Sequence, residues 1–135
     1  MKHSKKFQDA SLLGLRLIIA AIFLYVGGYG KLFIWSTPPE GMPTAMLLLM
    51  KFLSIVEPIG AVAIAVGFLT RWAAAGLAII MVGAVGFLKL MLQSAWFTGQ
   101  QGSGIDYVLL ILVGCLVLMA FGAGSWSVDA KWRRA

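Results

Sequence analysis

A chain of 135 residues that is 61% hydrophobic, 12% charged and of mean hydropathy +0.93 leaves too little polar surface for an ordinary soluble domain. Its net charge of +6 does not read as a nucleic-acid footprint, because the Lys and Arg residues sit at the ends of apolar segments, without a basic face or an aromatic RNA-binding signature. The composition is that of an integral membrane protein whose basic residues set its orientation.

Four apolar segments follow in order, over about residues 12–32, 45–69, 72–92 and 107–121. At about 1.5 Å per residue most are long enough to cross a hydrocarbon core of about 30 Å. The fourth is short unless Asp106 or the segment 122–126 enters the interface. The first resembles the apolar core of a signal peptide preceded by Lys2, Lys5 and Lys6. Arg16 interrupts it, however, no small-residue cleavage signal precedes Lys31, and three further spans follow. The connections "STPPEGMPT" (Ser36 to Thr44) and "TGQQGSG" (Thr98 to Gly104) are loops, and the short "GFLTRW" (Gly67 to Trp72) makes the second and third segments antiparallel neighbours. The expected fold is all-α, a four-transmembrane-helix bundle forming one domain over residues 1–135.

Lys2, Lys5, Lys6, Arg16, Arg71, Lys131, Arg133 and Arg134 fall on one side and Lys31, Lys51 and Lys89 on the other, so the positive-inside rule places both termini in the cytoplasm. Gly60, Ala61, Ala65, Gly67, Ala74, Ala78, Gly83 and Gly86 are small residues that allow close helix packing. With one cysteine and one histidine, the chain lacks the ligands for thiol-disulfide chemistry, a b-type haem or a metal centre. Cys115 reads as a small buried hydrophobe, and His3 is isolated in a basic terminus.

The polar residues inside the spans carry the functional question. Glu57 lies fourteen residues from Arg71, which at helical rise is about 21 Å deeper, in the outer half of the second span. Lys31, Lys51, Lys89, Asp106 and the tyrosines at 25, 29 and 107 fall in that same half. A charge near the middle of a span costs roughly 2.5–3.5 kcal/mol, so Glu57 has to be protonated, paired with a lysine, or set in a wet cavity. The adjacent Pro58 frees the carbonyl of Ser54, which gives two readings: Glu57 repairs the opened backbone, or it faces the bundle and binds a ligand, proton or cation. Lys31, Lys89 and Tyr29 are its candidate companions. Arg16, Arg71, Asp106 and Pro58 are read as structural or interfacial, with Arg16 expected to snorkel to the headgroups rather than to face the bundle.

Taken together, "LRLIIAAIFLYVGGYGKLF" (Leu15 to Phe33), "VEPIGAVAIAVGFLTRWAA" (Val56 to Ala74) and the ending "GAGSWSVDA" (Gly122 to Ala130) resemble the DoxX family of small four-helix bacterial membrane proteins. The matching positions are Arg16, Phe23, Lys31, Glu57, Gly60, Gly67, Arg71 and Asp129. Two departures stand out: Pro58 replaces a residue that is usually not proline, and the glycine-rich run before Lys31 is one residue longer than the family pattern. One residue rotates a helical position by about 100°. The resemblance implies a small inner-membrane subunit associated with quinone-linked or sulfur-linked respiratory enzymes or oxidative-stress complexes, not catalytic alone. It implies a protein partner and leaves homo-oligomerisation open; with haem and thiol ligands missing, no covalent cofactor is expected, and any electron carrier is a bound quinone or belongs to the partner. An assembly or scaffold role is the main rival, followed by transport of a proton or small solute.

Overall fold

The computed structural model describes residues 2–99 and 104–133, with side chains from Ser4 onward. Helix α1 (Lys2–Phe23) begins ten residues before the apolar segment does, because Lys5, Lys6, Gln8 and Asp9 are compatible with a helix that extends beyond the lipid. It continues through a π-helical turn (Leu24–Gly28) and a 3₁₀ turn (Tyr29–Lys31) into the short α2 (Phe33–Ser36). There follow α3 (Thr44–Val66), α4 (Thr70–Leu90), α5 (Asp106–Phe121) and a tail helix α6 (Val128–Trp132) that hydrophobic periodicity does not reveal. Among the described residues there is no β-strand.

Three of these stretches, Ser4–Ser36, Thr44–Val66 and Thr70–Leu90, are long and apolar enough to cross a membrane. The fourth, α5, has 16 residues and spans about 24 Å at helical rise. The protein is therefore an all-helical, multi-pass membrane protein. Its helices close into a ring: α1 packs on α3, α3 on α4, α4 most extensively on α5, and α5 returns to α1. Ile19, Ala20, Phe23, Ala61, Ile64, Ala74, Leu77, Ile111, Cys115 and Leu118 fill the centre. Gly60 lies against Leu77 and Gly114 against Ile19, so these two glycines let neighbouring backbones approach. Large apolar side chains such as Ile18, Ile59, Ile79 and Leu110 point outward, as a surface solvated by acyl chains requires.

The end of the bundle that carries the tail helix α6 is tied together by four charged side chains. Arg16 is 1% exposed and does not snorkel. Its Nε donates to the Ile64 carbonyl (2.9 Å) and Nη2 to that of Ala65 (2.7 Å), while Nη1 donates to Ala123 (2.8 Å) and Trp126 (2.9 Å). The carbonyls of Ile64 and Ala65 belong to the last turn of α3, where helical partners run out and the helix dipole is negative, so a guanidinium is held there rather than at the headgroups. The second span ends at Val66, earlier than periodicity alone places it, because Gly67 takes a left-handed conformation (φ +73°) against Arg16 and Ser127.

Asp129 performs a complementary task at the start of α4. Its Oδ1 accepts from the N–H of Leu69 (2.7 Å) and its Oδ2 from that of Thr70 (2.9 Å), while its own N–H donates to the Gly67 carbonyl (2.8 Å). Leu69, at φ +46°, offers no capping side chain, so the cap comes from the tail sixty residues away. Burial pushes the Asp129 carboxyl up, but the N–H groups of Thr70 and Leu69 and the charge of Arg133 outweigh it and leave it below the ordinary 3.8. Asp9 accepts from the N–H of Ser125 (2.8 Å), and Arg71 donates to the Ala120 carbonyl (3.2 Å). At the opposite, distal end Asp106 caps its own helix, accepting from the N–H of Tyr107 and from both donors of Thr98.

Candidate functional site

Glu57 and Lys31 meet in the distal half of the bundle. The Lys31 ammonium lies 2.6 Å from both carboxylate oxygens of Glu57, whose side chain is 3% exposed against 18% for the lysine. Of the three outcomes open to an intramembrane carboxylate, the fold takes the ion pair.

The local sequence explains how helix one reaches this far inward. The π-helical turn at Leu24–Gly28 closes its hydrogen bonds over one more residue than an α-helix, which rotates the residues that follow relative to a continuous α-helix. The tighter turn at Tyr29–Lys31 follows, and Lys31 faces the bundle. Gly27 is pressed on Glu57 so closely that a Cβ there would collide with its Oε2 and its Cβ. A Cβ on Gly28 would stand 3.4 Å from the Pro58 ring. The two glycines thus admit the carboxylate and the proline, and the ion pair forms across that contact.

Pro58 sits inside α3, and Glu57 does not repair the break it makes, since both of its oxygens engage Lys31. The Ser54 hydroxyl donates to the Lys51 carbonyl (2.7 Å) and accepts from Trp35 Nε1 (3.0 Å). The other candidate companions lie elsewhere. Lys89 rests over the Trp96 ring, 4.8 Å from its centroid, and Lys51 over that of Trp35 at 5.1 Å. Tyr29 is 71% exposed and stacks on Tyr25. Of the four ligand-binding candidates, the structure brings Lys31 and Glu57 together and leaves Lys89 and Tyr29 outside.

Beside the pair lies a cavity of about 490 Å³ walled by α1, α3, α4 and α5 together with Lys31. Its walls are apolar, including Phe23, Met46, Met50 and Met81, and its polar side chains are Lys31, Glu57 and Tyr107. The volume falls within the roughly 300–1,000 Å³ of small-molecule sites, and a few converging polar groups in an apolar chamber are what such sites share. An ammonium has three N–H donors and the carboxylate engages at most two, so the pair retains a donor for a ligand oxygen. From sequence Tyr107 has only a depth, and nothing there singles out Gly27 or the methionines. Among the described residues no group of His, Cys, Asp and Glu side chains is placed to hold a metal.

Fold and site together define a small multi-pass helical membrane protein with a buried lysine–glutamate pair beside an apolar chamber. The family model for DoxX matches residues 11–91, more than half of the chain, and the chain belongs to the DoxX family. A protein of Mycobacterium tuberculosis (strain ATCC 25618 / H37Rv) described as the uncharacterized membrane protein Rv3486 is 31% identical over 132 residues, covering 90% of this chain and 80% of the relative. No solved structure matches. The family match includes Arg16, Lys31, Glu57 and Arg71, and stops before α5 and Asp129.

Proposed function

We propose that this protein is a small, single-domain subunit of a quinone-linked or sulfur-linked redox complex in the bacterial inner membrane, with both termini cytoplasmic and the chamber holding a lipid-like quinone. The observation that carries this reading is the buried Lys31–Glu57 pair forming the polar end of an otherwise apolar cavity. The donor set fits such a ligand: an ammonium and a phenol supply donors for a carbonyl, and hydrocarbon walls accommodate a ring and the start of a tail.

A bound quinone would supply two-electron, two-proton redox chemistry, the electrons being exchanged with a partner protein. The residues of this chain bind and orient. Lys31 donates to a ligand carbonyl, Tyr107 lines the same chamber, and Glu57 fixes the ammonium while offering a carboxylate that can take or release a proton. The half of the bundle between Arg16 and the pair is filled by Ile19, Ala20, Ala61, Ile64 and Cys115 and, among the described residues, provides no chain of relay groups, which weighs against solute passage through a single chain. An assembly role draws support from the exposed basic tail residue Lys131 beside Trp132.

Extraction of lipids from protein purified in mild detergent tests the reading. The expected result is a quinone that co-purifies with the wild type and is depleted in Glu57→Gln, with loss of activity in the partner complex. Absence of quinone together with unchanged activity in Glu57→Gln would overturn it. A variant that unfolds yet leaves the partner's activity intact would point to assembly.

A further inference from the structure

The helices do not close over the chamber evenly. α3 and α4 are joined at one end by a short turn, and near it they interlock, a Cβ on Gly60 standing 3.2 Å from Leu77. Towards the distal end the seam loosens. Leu49 and Phe52 of α3 and Ile79 and Gly83 of α4 all line the chamber, yet each is also exposed on the outside of the bundle. No heavy atom lies within 4 Å of a Cβ built on Gly83. Residues that are wall and surface at once form the rim of an opening, and this rim faces hydrocarbon.

We infer that the chamber is loaded sideways, from the lipid, through a mouth between α3 and α4 bounded by Leu49, Phe52, Ile79 and Gly83, and that it takes an uncharged amphiphile with a hydrogen-bond-accepting head and a flexible apolar tail. This deepens the proposed function and rests on its use of the chamber. Leu49, Phe52, Ile79 and Gly83 carry no polar group, so on this side the opening meets a compound dissolved in the bilayer; Val26, Phe87 and Tyr107 also line the chamber and are exposed, and of these only Tyr107 is polar. The head is neutral because Lys31 and Glu57 already cancel one another. A carboxylate or ammonium head would leave one uncompensated charge where desolvation is costly. The tail is loosely specified, since Met46, Met50 and Met81 are unbranched and adapt to irregular shapes. Gly83 keeps the mouth open by having no side chain.

The test uses full-length protein in phosphatidylcholine nanodiscs and three probes with identical diazirine-bearing alkyl tails, headed by a benzoquinone, a neutral ester and a carboxylate. After illumination, labelled positions are mapped by mass spectrometry. Both neutral probes are expected to label chamber residues such as Met50 and Met81, and the carboxylate probe is not. Gly83→Phe should reduce chamber labelling roughly tenfold or more, the scale on which an apolar pocket discriminates by size. Ile79→Ala, which widens the rim by removing an exposed side chain, should raise it. Gly76→Phe, a control on the same helix away from the chamber, should change nothing. Labelling confined to outward-facing residues such as Ile55 and Leu110, or chamber labelling indifferent to Gly83→Phe and Ile79→Ala, overturns the inference. Labelling by the ester probe that depends on Gly83, without labelling by the benzoquinone probe, supports the sideways mouth and removes the quinone from the proposed function.

Discussion

Replacing Lys31 by Met would strand the Glu57 carboxylate, and the geometry sets the cost. At an effective dielectric constant of 20, unit charges at the observed 2.6 Å separation attract by about 6 kcal/mol before the desolvation of both groups is subtracted. Removing one partner of a buried pair typically costs about 3–5 kcal/mol, because the remaining charge keeps its desolvation and loses its attraction. An upper bound comes from proton uptake: an ordinary glutamate is protonated at neutral pH for about 4 kcal/mol, so a stranded carboxylate need cost no more than that. Lys31→Met should therefore destabilise by about 3–4 kcal/mol. Glu57→Gln should cost less, about 1–2 kcal/mol, since Lys31 is 18% exposed where Glu57 is 3%, and its ammonium retains an amide oxygen and access to water. The double variant Lys31→Met/Glu57→Gln should cost less than Lys31→Met alone. Reversible unfolding in mixed detergent micelles measures all three. A loss below about 1 kcal/mol for Lys31→Met, or one no larger than for Glu57→Gln, would refute the reasoning that the pair is buried and mutually dependent.

Three further outcomes follow from the same architecture. Gly27→Ala drives a methyl into Glu57 and should destabilise by about 1–3 kcal/mol in the same unfolding assay, whereas Gly14→Ala, in open space, should be neutral or slightly favourable. Arg16→Lys should fail to rescue Arg16→Ala, since an ammonium cannot reproduce the fork that meets four carbonyls on two segments; folded yield in detergent and the unfolding midpoint report it. Asp129→Asn should cost about 1 kcal/mol at neutral pH through the weakened cap of α4. The folded carboxyl titrates below the ordinary 3.8, so its contribution is complete above that value and fades as the pH falls through the depressed one. The difference between wild type and Asp129→Asn should accordingly shrink in acid, as unfolding midpoints measured across that range will show.

The spans were legible because hydrophobic periodicity and length depend on the chain alone, and the depth of Glu57 and Lys31 followed from helical rise. Which way those residues face depends on turns that periodicity does not encode. The facing of Lys31 hinges on the π-helical turn at Leu24–Gly28, which hydrophobic periodicity does not announce. Lys89 shares the depth of Glu57 but turns to Trp96, because depth constrains one coordinate and leaves rotation about the helix free. The inward facing of Arg16 is not legible in the sequence, because two of its partners, the carbonyls of Ala123 and Trp126, are backbone groups of a tail without a hydrophobic pattern. Asp129 belongs to the same blind spot: a cap supplied from sixty residues away leaves no local capping motif at the start of α4.

The Arg16 junction also imposes a schedule on synthesis. The acceptors at Ala123 and Trp126 lie 107 and 110 residues after the guanidinium they satisfy. At about 5–20 residues per second, helix one waits roughly 5–20 s between its own emergence and the arrival of the tail that completes the shell around Arg16. During that interval the guanidinium has the headgroups and, once the second span is in place, the carbonyls of Ile64 and Ala65. A segment that follows the spans is thus the one that locks the first helix in place, so a chain cut before Ala123 would enter the membrane with its spans present and its first helix still free to shift.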